Sequence, residues 1–185
     1  SFSTAVAADA SGNSYVTGFF QNTATFGPGE ANETTFVAQG GNADVFIAKY
    51  NAAGTLQWAK QAGSGAGDVG VGGFAEQGLG IGVDGNGHVY VVGFFQSTDV
   101  VFGPGEANQT FLNVPGGGRE IFLAKFNNVD GTLVWVAHAG GVGDGKAATD
   151  AARGGELRHF LRASAVRRIR LAPCLPMAAT TRRFD

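Results

Sequence analysis

The chain contains two tandem copies of one unit of roughly 75 residues, and this repeat limits the possible folds more than any other feature. The seven residues Phe26–Asn32 recur unchanged as Phe102–Asn108. Three further blocks recur in the same order with a drift of only two residues: 14–21 as 89–96, 45–51 as 121–127 and 54–58 as 131–135. Such a repeat is typical of architectures in which each unit covers an apolar face of its neighbour.

Each copy is predicted to contain four short strands. In the first copy they are Thr4–Ala8, Tyr15–Phe20, Val45–Tyr50 and Leu56–Ala62. The third strand is apolar at both alternating sets of positions, which is typical of a strand buried between two sheets. Between the second and third strands lies an insert of some 20 residues. Its Pro28-Gly29 pair predicts a type II turn, and Phe36–Ala38 predicts a small extra strand.

This pattern predicts an all-β fold of tandem four-stranded antiparallel sheets, which are the blades of a β-propeller. The sheets must stack because one unit cannot cover both of its own faces. A propeller closes with about four to eight blades, so two blades form an incomplete ring. The alternative is a β-solenoid of stacked coils, although a period of about 75 residues is long for one coil. Open faces and strand edges lead us to expect self-association.

The repeat and the distribution of charge together divide the chain into three segments. Residues 1–65 and 66–145 are two blade-like repeats, and residues 146–185 form an aberrant basic tail. Residues 1–152 carry five Lys and Arg against 13 Asp and Glu, a net charge of −8, whereas residues 153–185 carry eight against two, a net charge of +6. The only cysteine, Cys174, lies in the tail, so the repeats must be stable without disulfide bonds.

Two explanations of the tail remain open. It is either a basic, partly helical segment that binds an acidic partner, or a third repeat interrupted by a shifted reading frame. If the reading frame is shifted by one base, the codons for the residues from Arg153 onward can also encode the string VAASSGTSYV. This string is similar to Val6–Val16. The nucleotide sequence distinguishes the two, since a stop codon before the end of a repeat would exclude the frameshift.

A turn-and-strand motif in both copies resembles that of a known repeat family. In the second copy, Val83–Gly93 reads VDGNGHVYVVG, and Phe122–Phe126 and Trp135 follow. These motifs resemble the bacterial SBBP (β-propeller repeat) family over residues 3–145. The first copy departs from the motif with Ala8 before Asp9, and the second has Gly87-His88 where Gly-Asn is usual. The resemblance implies an exported or cell-surface bacterial protein without shared catalytic residues.

No catalytic, cofactor-binding or metal-binding residue is predicted. Asp9 and Asp84 begin matched turns and favour hydrogen-bonded Asx turns over Ca²⁺ sites, because each turn lacks the six to eight oxygen ligands that Ca²⁺ takes. Glu30 and Glu106 recur in the Pro-Gly loop, where a ring of carboxylates would keep the rim soluble or bind cations or sugars.

The matched tryptophans and the histidines complete the set of candidate residues. Trp58 and Trp135 are predicted to pack in the core between blades, with stacking on sugar rings as the alternative. His88 and His138 occupy unrelated positions of the repeat, so they predict no repeated metal site.

The predicted function is a non-catalytic structural or interaction module, a fragment of an exported bacterial β-propeller repeat protein. Its predicted partners are the neighbouring blades of the same protein and an unidentified protein or glycan. No cofactor or nucleic-acid partner is predicted. No membrane span is predicted either, since no apolar run approaches 18 residues. The alternatives are a carbohydrate-binding cell-surface protein and a propeller hydrolase, the latter disfavoured because near-identical repeats give no asymmetric catalytic cluster.

Overall fold

The computed structural model describes residues 1–38, 42–64, 76–97, 99–113 and 119–140, which all belong to one compact unit, Ser1–Gly154. Within these residues the chain is all-β, as the sequence predicts, and forms 12 strands. Repeat 1 contains β1 (Phe2–Ala8), β2 (Ser14–Phe20), β3 (Thr23–Phe26), β4 (Thr34–Val37), β5 (Asp44–Tyr50) and β6 (Leu56–Ser64). Repeat 2 contains β7 (Glu76–Val83), β8 (Val89–Phe95), β9 (Val100–Phe102), β10 (Thr110–Leu112), β11 (Glu120–Phe126) and β12 (Leu133–Ala139). The predicted tail, residues 146–185, lies outside the described residues.

Each repeat builds one four-stranded antiparallel sheet from its four principal strands. The orders are β1-β2-β5-β6 and β7-β8-β11-β12. These strands are rich in Val, Ile, Phe and Tyr, which favour a pleated, half-buried surface. The four strands predicted for the first copy are confirmed, with ends that differ by at most two residues. Among the described residues, no helix is long and apolar enough to cross a membrane.

The insert of each repeat folds as a hairpin of its own, β3–β4 or β9–β10. The sequence predicted one extra strand here, and the structure shows two. The predicted type II turn is confirmed in the loop between them. Gly29 has a φ of 80°, and the Glu30 amide donates to the Gly27 carbonyl at 3.0 Å.

The two sides of each sheet are distinguished by rows of residues that lie opposite one another. We call the front face the side that carries Tyr15, Lys49 and Trp58 in repeat 1, and Tyr90, Lys125 and Trp135 in repeat 2. The back face carries Val16, Ala48 and Ala59, or Val91, Ala124 and Val136. Both faces of the central strand β5 are covered, since Asp44–Ala48 are all buried.

The front face of repeat 1 packs against the back face of repeat 2. One buried cluster spans this contact, and its members include Tyr15, Val45, Ile47, Trp58, Val91, Phe95, Phe102, Phe122 and Leu133. Part of the back face of repeat 1 is covered by its own hairpin, in a second cluster that includes Phe20, Phe26, Phe46 and Leu56, whereas Val6 on β1 is 68% exposed. Full burial of one such side chain contributes about 1.5–3 kcal/mol, so these two contacts dominate the stability of the fold.

The hairpin of repeat 2 also extends the sheet of repeat 1. β9 pairs with the end of β6, where Gly63 lies opposite Val101 and Ser64 opposite Val100. The first sheet therefore has six strands in the order β1-β2-β5-β6-β9-β10. The same hairpin packs on the back face of its own repeat. It thus joins the two repeats, a connection that the local sequence pattern does not predict.

The close approach at Gly93 in β8 yields a test of this packing. A Cβ atom there would lie 2.7 Å from the Phe122 ring and would clash with the Gln77 carbonyl oxygen. Gly93→Ala is therefore expected to lower the free energy of unfolding by about 1–3 kcal/mol through overpacking. At Gly82 nothing lies within 4 Å of an added Cβ, so Gly82→Ala should change it by less than about 0.5 kcal/mol. Urea unfolding measures both variants, and equal stabilities would contradict the close approach.

Candidate functional site

The contact between the repeats is organised around one backbone carbonyl, that of Asn128. Lys49 Nζ donates to this oxygen at 2.8 Å, and Trp58 Nε1 donates to it at 3.1 Å. Asn128 lies in the turn between β11 and β12, so two side chains of the first sheet hold a turn of the second. Gly131 of the same turn lies against the Trp58 ring, where a Cβ atom would come within 2.7 Å. The turn therefore fits beneath the indole only without a side chain at this position.

Tyr15 holds Lys49 and Trp58 in place. Lys49 Nζ lies 5.4 Å from the centre of the Tyr15 ring, and the rings of Tyr15 and Trp58 are 6.3 Å apart. Tyr15 is fully buried, and its hydroxyl donates to Asp9 Oδ2 at 3.0 Å. Burial, followed by this hydrogen bond to a carboxylate, raises the pKa of Tyr15 to about 12. The hydroxyl therefore remains a protonated donor at neutral pH.

A salt bridge between Lys60 and Glu106 is a further link between the repeats. Lys60 Nζ and Glu106 Oε1 are 2.6 Å apart, and the two side chains are 27% and 15% exposed. The other carboxylate oxygen of Glu106 accepts the Leu133 amide at 2.6 Å. Because the backbone fixes the carboxylate, the pair has a defined geometry and helps to set how the sheets lie on each other.

The identical seven-residue blocks are explained by their contacts with the last principal strand of each sheet. Glu30 Oε2 accepts the Leu56 amide at 2.5 Å, and Asn32 Nδ2 donates to the Leu56 carbonyl at 3.1 Å. The matching residues in repeat 2 are Glu106, Asn108 and Leu133. Each loop thus clamps both polar groups of one backbone residue. Neither the solubility nor the cation-binding interpretation of the glutamates anticipated this role.

Asp9 and Asp84 each close their own turn. Asp9 accepts hydrogen bonds of 2.8–3.0 Å from the amides of Ser11 and Asn13, the Asn13 side chain and the Tyr15 hydroxyl. These contacts support the Asx turn that the sequence favours. The Asn13 side chain is the largest cause that lowers the pKa of Asp9. A groove of about 480 Å³ lies between the two turns, but the carboxylates at its wall already accept these bonds.

The front face of repeat 2 carries the same side chains in the same geometry. Its surface is exposed along β12, whereas Phe94, Ile121 and Leu123 on β8 and β11 are only 6–7% exposed. Lys125 Nζ lies 5.3 Å from the Tyr90 ring centre, and the rings of Tyr90 and Trp135 are 6.3 Å apart. Trp135 is nevertheless 38% exposed, whereas Trp58 is 7% exposed. Core packing is thus confirmed for Trp58 and wrong for Trp135, because no third sheet among the described residues covers the latter.

The two histidines each pair with a carboxylate of their own sheet. His88 Nδ1 lies 3.1 Å from Asp84 Oδ2, and His138 Nδ1 lies 2.6 Å from Glu120 Oε2. The part of the chain that the structure describes contains no group of three or more His, Cys, Asp or Glu side chains arranged to hold a metal ion.

Two buried acids, Asp44 and Glu76, were not predicted from the sequence. Gln61 Nε2 donates to the Asp44 carboxylate, and Ser97 Oγ donates to that of Glu76. The Glu76 amide also donates to the Ala43 carbonyl at 3.1 Å, which ties the start of β7 to the residue before β5. Both acids begin a strand, a position at which single-sequence patterns give no sign of burial.

Comparison with protein-family models and with curated proteins finds no match for this chain. The interpretation of the site therefore rests on its own geometry. That geometry is an interface between repeats, in which a front face binds the turn, hairpin and back face of the next repeat. One such interface is buried in the chain, and the second front face is exposed along β12.

Asp84 is expected to make stability depend on pH in the acid range. Desolvation raises its pKa, but hydrogen bonds from the backbone and side chain of His88, from Asn86 and from Tyr90 outweigh this and lower the pKa from 3.8 to about 2. Because the pKa of the folded state is the lower one, the stabilisation is complete above a pH of about 4 and is lost as the pH falls towards 2.

Asp84→Asn removes this titration and should flatten the pH dependence of stability between about pH 5 and pH 2. Urea unfolding of the wild type and the variant at several pH values measures the difference. Parallel profiles for the two proteins would show that the carboxylate is not stabilised in the turn.

Proposed function

We propose that the chain is a non-catalytic structural and interaction module, a pair of blades from an exported bacterial β-propeller repeat protein. Its sheets bind neighbouring blades through their flat faces. The observation that carries this proposal is the contact in which Lys49 and Trp58 of one repeat hold the Asn128 carbonyl of the next. A contact made by repeated residues extends to further copies without any new chemistry.

The pairing of the strands supports blades over stacked coils. All strand pairs within the described residues are antiparallel. The coils of a β-helix, in contrast, pair in parallel. The two four-stranded sheets also lie face to face with a buried cluster between them, as neighbouring propeller blades do.

The exported bacterial origin in this proposal is supported by the turn-and-strand motif. The run Val83–Gly93 covers the end of β7, the Asp84 turn and most of β8, which are the turn and strand of the SBBP pattern. The tryptophan of the pattern lies in the last principal strand of each repeat, as Trp58 in β6 and Trp135 in β12. The same resemblance supports a role without catalysis, because the family pattern carries no catalytic residues.

Carbohydrate binding is the second candidate, favoured by the exposure of Trp135. Its indole lies on the front face of repeat 2 beside Tyr90, over which Lys125 extends. An exposed indole offers an apolar plane on which a sugar ring stacks, and the neighbouring ammonium is a donor for sugar hydroxyls. The same surface also fits a further repeat, so the two candidates compete for one face.

The complete gene tests the blade proposal directly. We expect it to contain about four to eight copies of the repeat, since that number closes a propeller. We also expect a signal segment at the start of its product. A complete gene with only these two copies would contradict the proposal.

A glycan array tests the carbohydrate candidate against the blade proposal. We expect no reproducible binding by the full chain, because its front face is matched to a sheet. Binding to one class of sugar that Trp135→Ala abolishes would instead establish the carbohydrate candidate. Val134→Ala is the matched control, since Val134 is the adjacent residue and is also 38% exposed.

A further inference from the structure

We propose that two copies of this chain bind head to tail, with the front face of repeat 2 in one copy against the back face and the β3–β4 hairpin of repeat 1 in the other. The inference rests on the blade packing proposed above. It adds the identity of the partner, a second copy of the chain, and the two surfaces that meet.

The internal contact is the template for this association. It buries the front face of repeat 1 and the back face of repeat 2. The other two faces are the same two kinds of surface, one of each kind. Matched positions in the two repeats carry the same or similar residues. These two open faces are therefore complementary for the same physical reason as the two faces that are buried in the internal contact.

The β12 side of the front face of repeat 2 is the first open surface, whereas Ile121 and Leu123 on β11 are each 7% exposed. Trp135 is 38% exposed where Trp58 is 7% exposed, and Ala139 is exposed where Ala62 is 1% exposed. The Lys125, Tyr90 and Trp135 side chains are already arranged as in repeat 1. Binding would therefore need little reordering of these side chains, which lowers its entropic cost.

The part of the back face of repeat 1 that its hairpin leaves uncovered, around Val6 and Val16, is the second open surface. Val6 is 68% exposed, whereas its counterpart Ile81 packs against the core cluster. Val16 is only partly buried where Val91 is fully buried. Phe36 is likewise partly buried where Leu112 is 4% exposed. At these three matched positions, the residue is less buried in the repeat that has no neighbour on this side.

The strand edges match in the same way. In the internal contact, β9 pairs with β6. The corresponding hairpin β3–β4 remains a separate two-stranded sheet, and β12 stands at the edge of its own sheet. Head-to-tail binding places β3 of one copy against the end of β12 in the other, where the two strand edges hydrogen-bond to each other.

The turn that receives the tryptophan also has an open counterpart. Gly54 and Gly131 occupy matched turns with φ values of 82° and 72°. Trp58 covers Gly131, whereas none of the described residues lies within 4 Å of a Cβ built at Gly54. In the proposed complex, Trp135 of the other copy covers Gly54, and the exposed Ala52 takes the place of Asn128.

Two differences make this contact weaker than the internal one. Ala137 stands where repeat 1 has Lys60, so Glu30 of the other copy meets no lysine. The turn after β5 is also one residue shorter than the turn after β11. We therefore expect association that depends on concentration. Since the contact is heterologous, it generates rings or open filaments.

Sedimentation velocity of the full chain over a range of concentrations measures this association. We expect the mean mass to rise with concentration. Trp135→Arg and Val6→Arg, one on each open surface, should each raise the dissociation constant by at least about tenfold. Phe111→Arg is the control, since Phe111 is 65% exposed on β10, outside both surfaces. Circular dichroism checks that all three variants keep the fold.

A one-to-one mixture of Trp135→Arg and Val6→Arg distinguishes head-to-tail binding from other modes. Each variant retains the surface that the other has lost, so the mixture should form heterodimers that grow no further. A mixture that stays monomeric while the wild type associates would overturn the proposal. A wild type that is monomeric at every concentration would also overturn it, and would leave further repeats of a longer protein as the partner. The number of repeats in the gene tests the blade proposal separately.

Ala137→Lys tests the register of the two surfaces. It places an ammonium where Lys60 stands in repeat 1, facing Glu30 of the other copy. We expect association to tighten by about threefold to tenfold and the gain to disappear in the double variant with Glu30→Gln. Absence of any gain would contradict this register.

Discussion

A sheet that is apolar on both sides needs a cover on both sides, and the arrangement of this molecule follows from that need. In repeat 1 the central strand β5 is buried over Asp44–Ala48. The sheet of repeat 2 covers its front face, and the hairpin β3–β4 covers part of its back face. The long insert and the tandem repeat therefore solve the same problem, because each shields one side of a sheet that is unstable alone.

Apolar burial brings the sheets together but does not fix their orientation, because it has no preferred direction. Here a chain of polar contacts supplies the direction. The Asp9 turn accepts the Tyr15 hydroxyl, the Tyr15 ring supports Lys49, and Lys49 donates to the Asn128 carbonyl. A turn of the first repeat is thereby linked to a turn of the second. The salt bridge from Lys60 to Glu106 adds another directional contact.

The repeat predicted the principal strands, the Asx turns and the type II turn because these depend on neighbouring residues. It missed the pairing of β9 with β6, since strands of different repeats meet only after the sheets have stacked. It also missed the central acceptor, because a backbone carbonyl such as that of Asn128 has no signature in residue type. The salt bridge from Lys60 to Glu106 did leave a signal in the sequence. Lys60 has no counterpart in the second copy, where the matched residue is Ala137.

The two copies of the tryptophan show that position in the stack, rather than sequence, determines the environment of a residue. Trp58 and Trp135 have the same aromatic and cationic neighbours at almost the same distances, yet one is buried and the other exposed. Stacks of repeats that end in solution need terminal units with polar outer faces. Repeat 2 presents an indole on its outer face, and repeat 1 presents Val6 on its own. Neither repeat has the surface of a terminal unit, so both outer faces are suited to a further sheet.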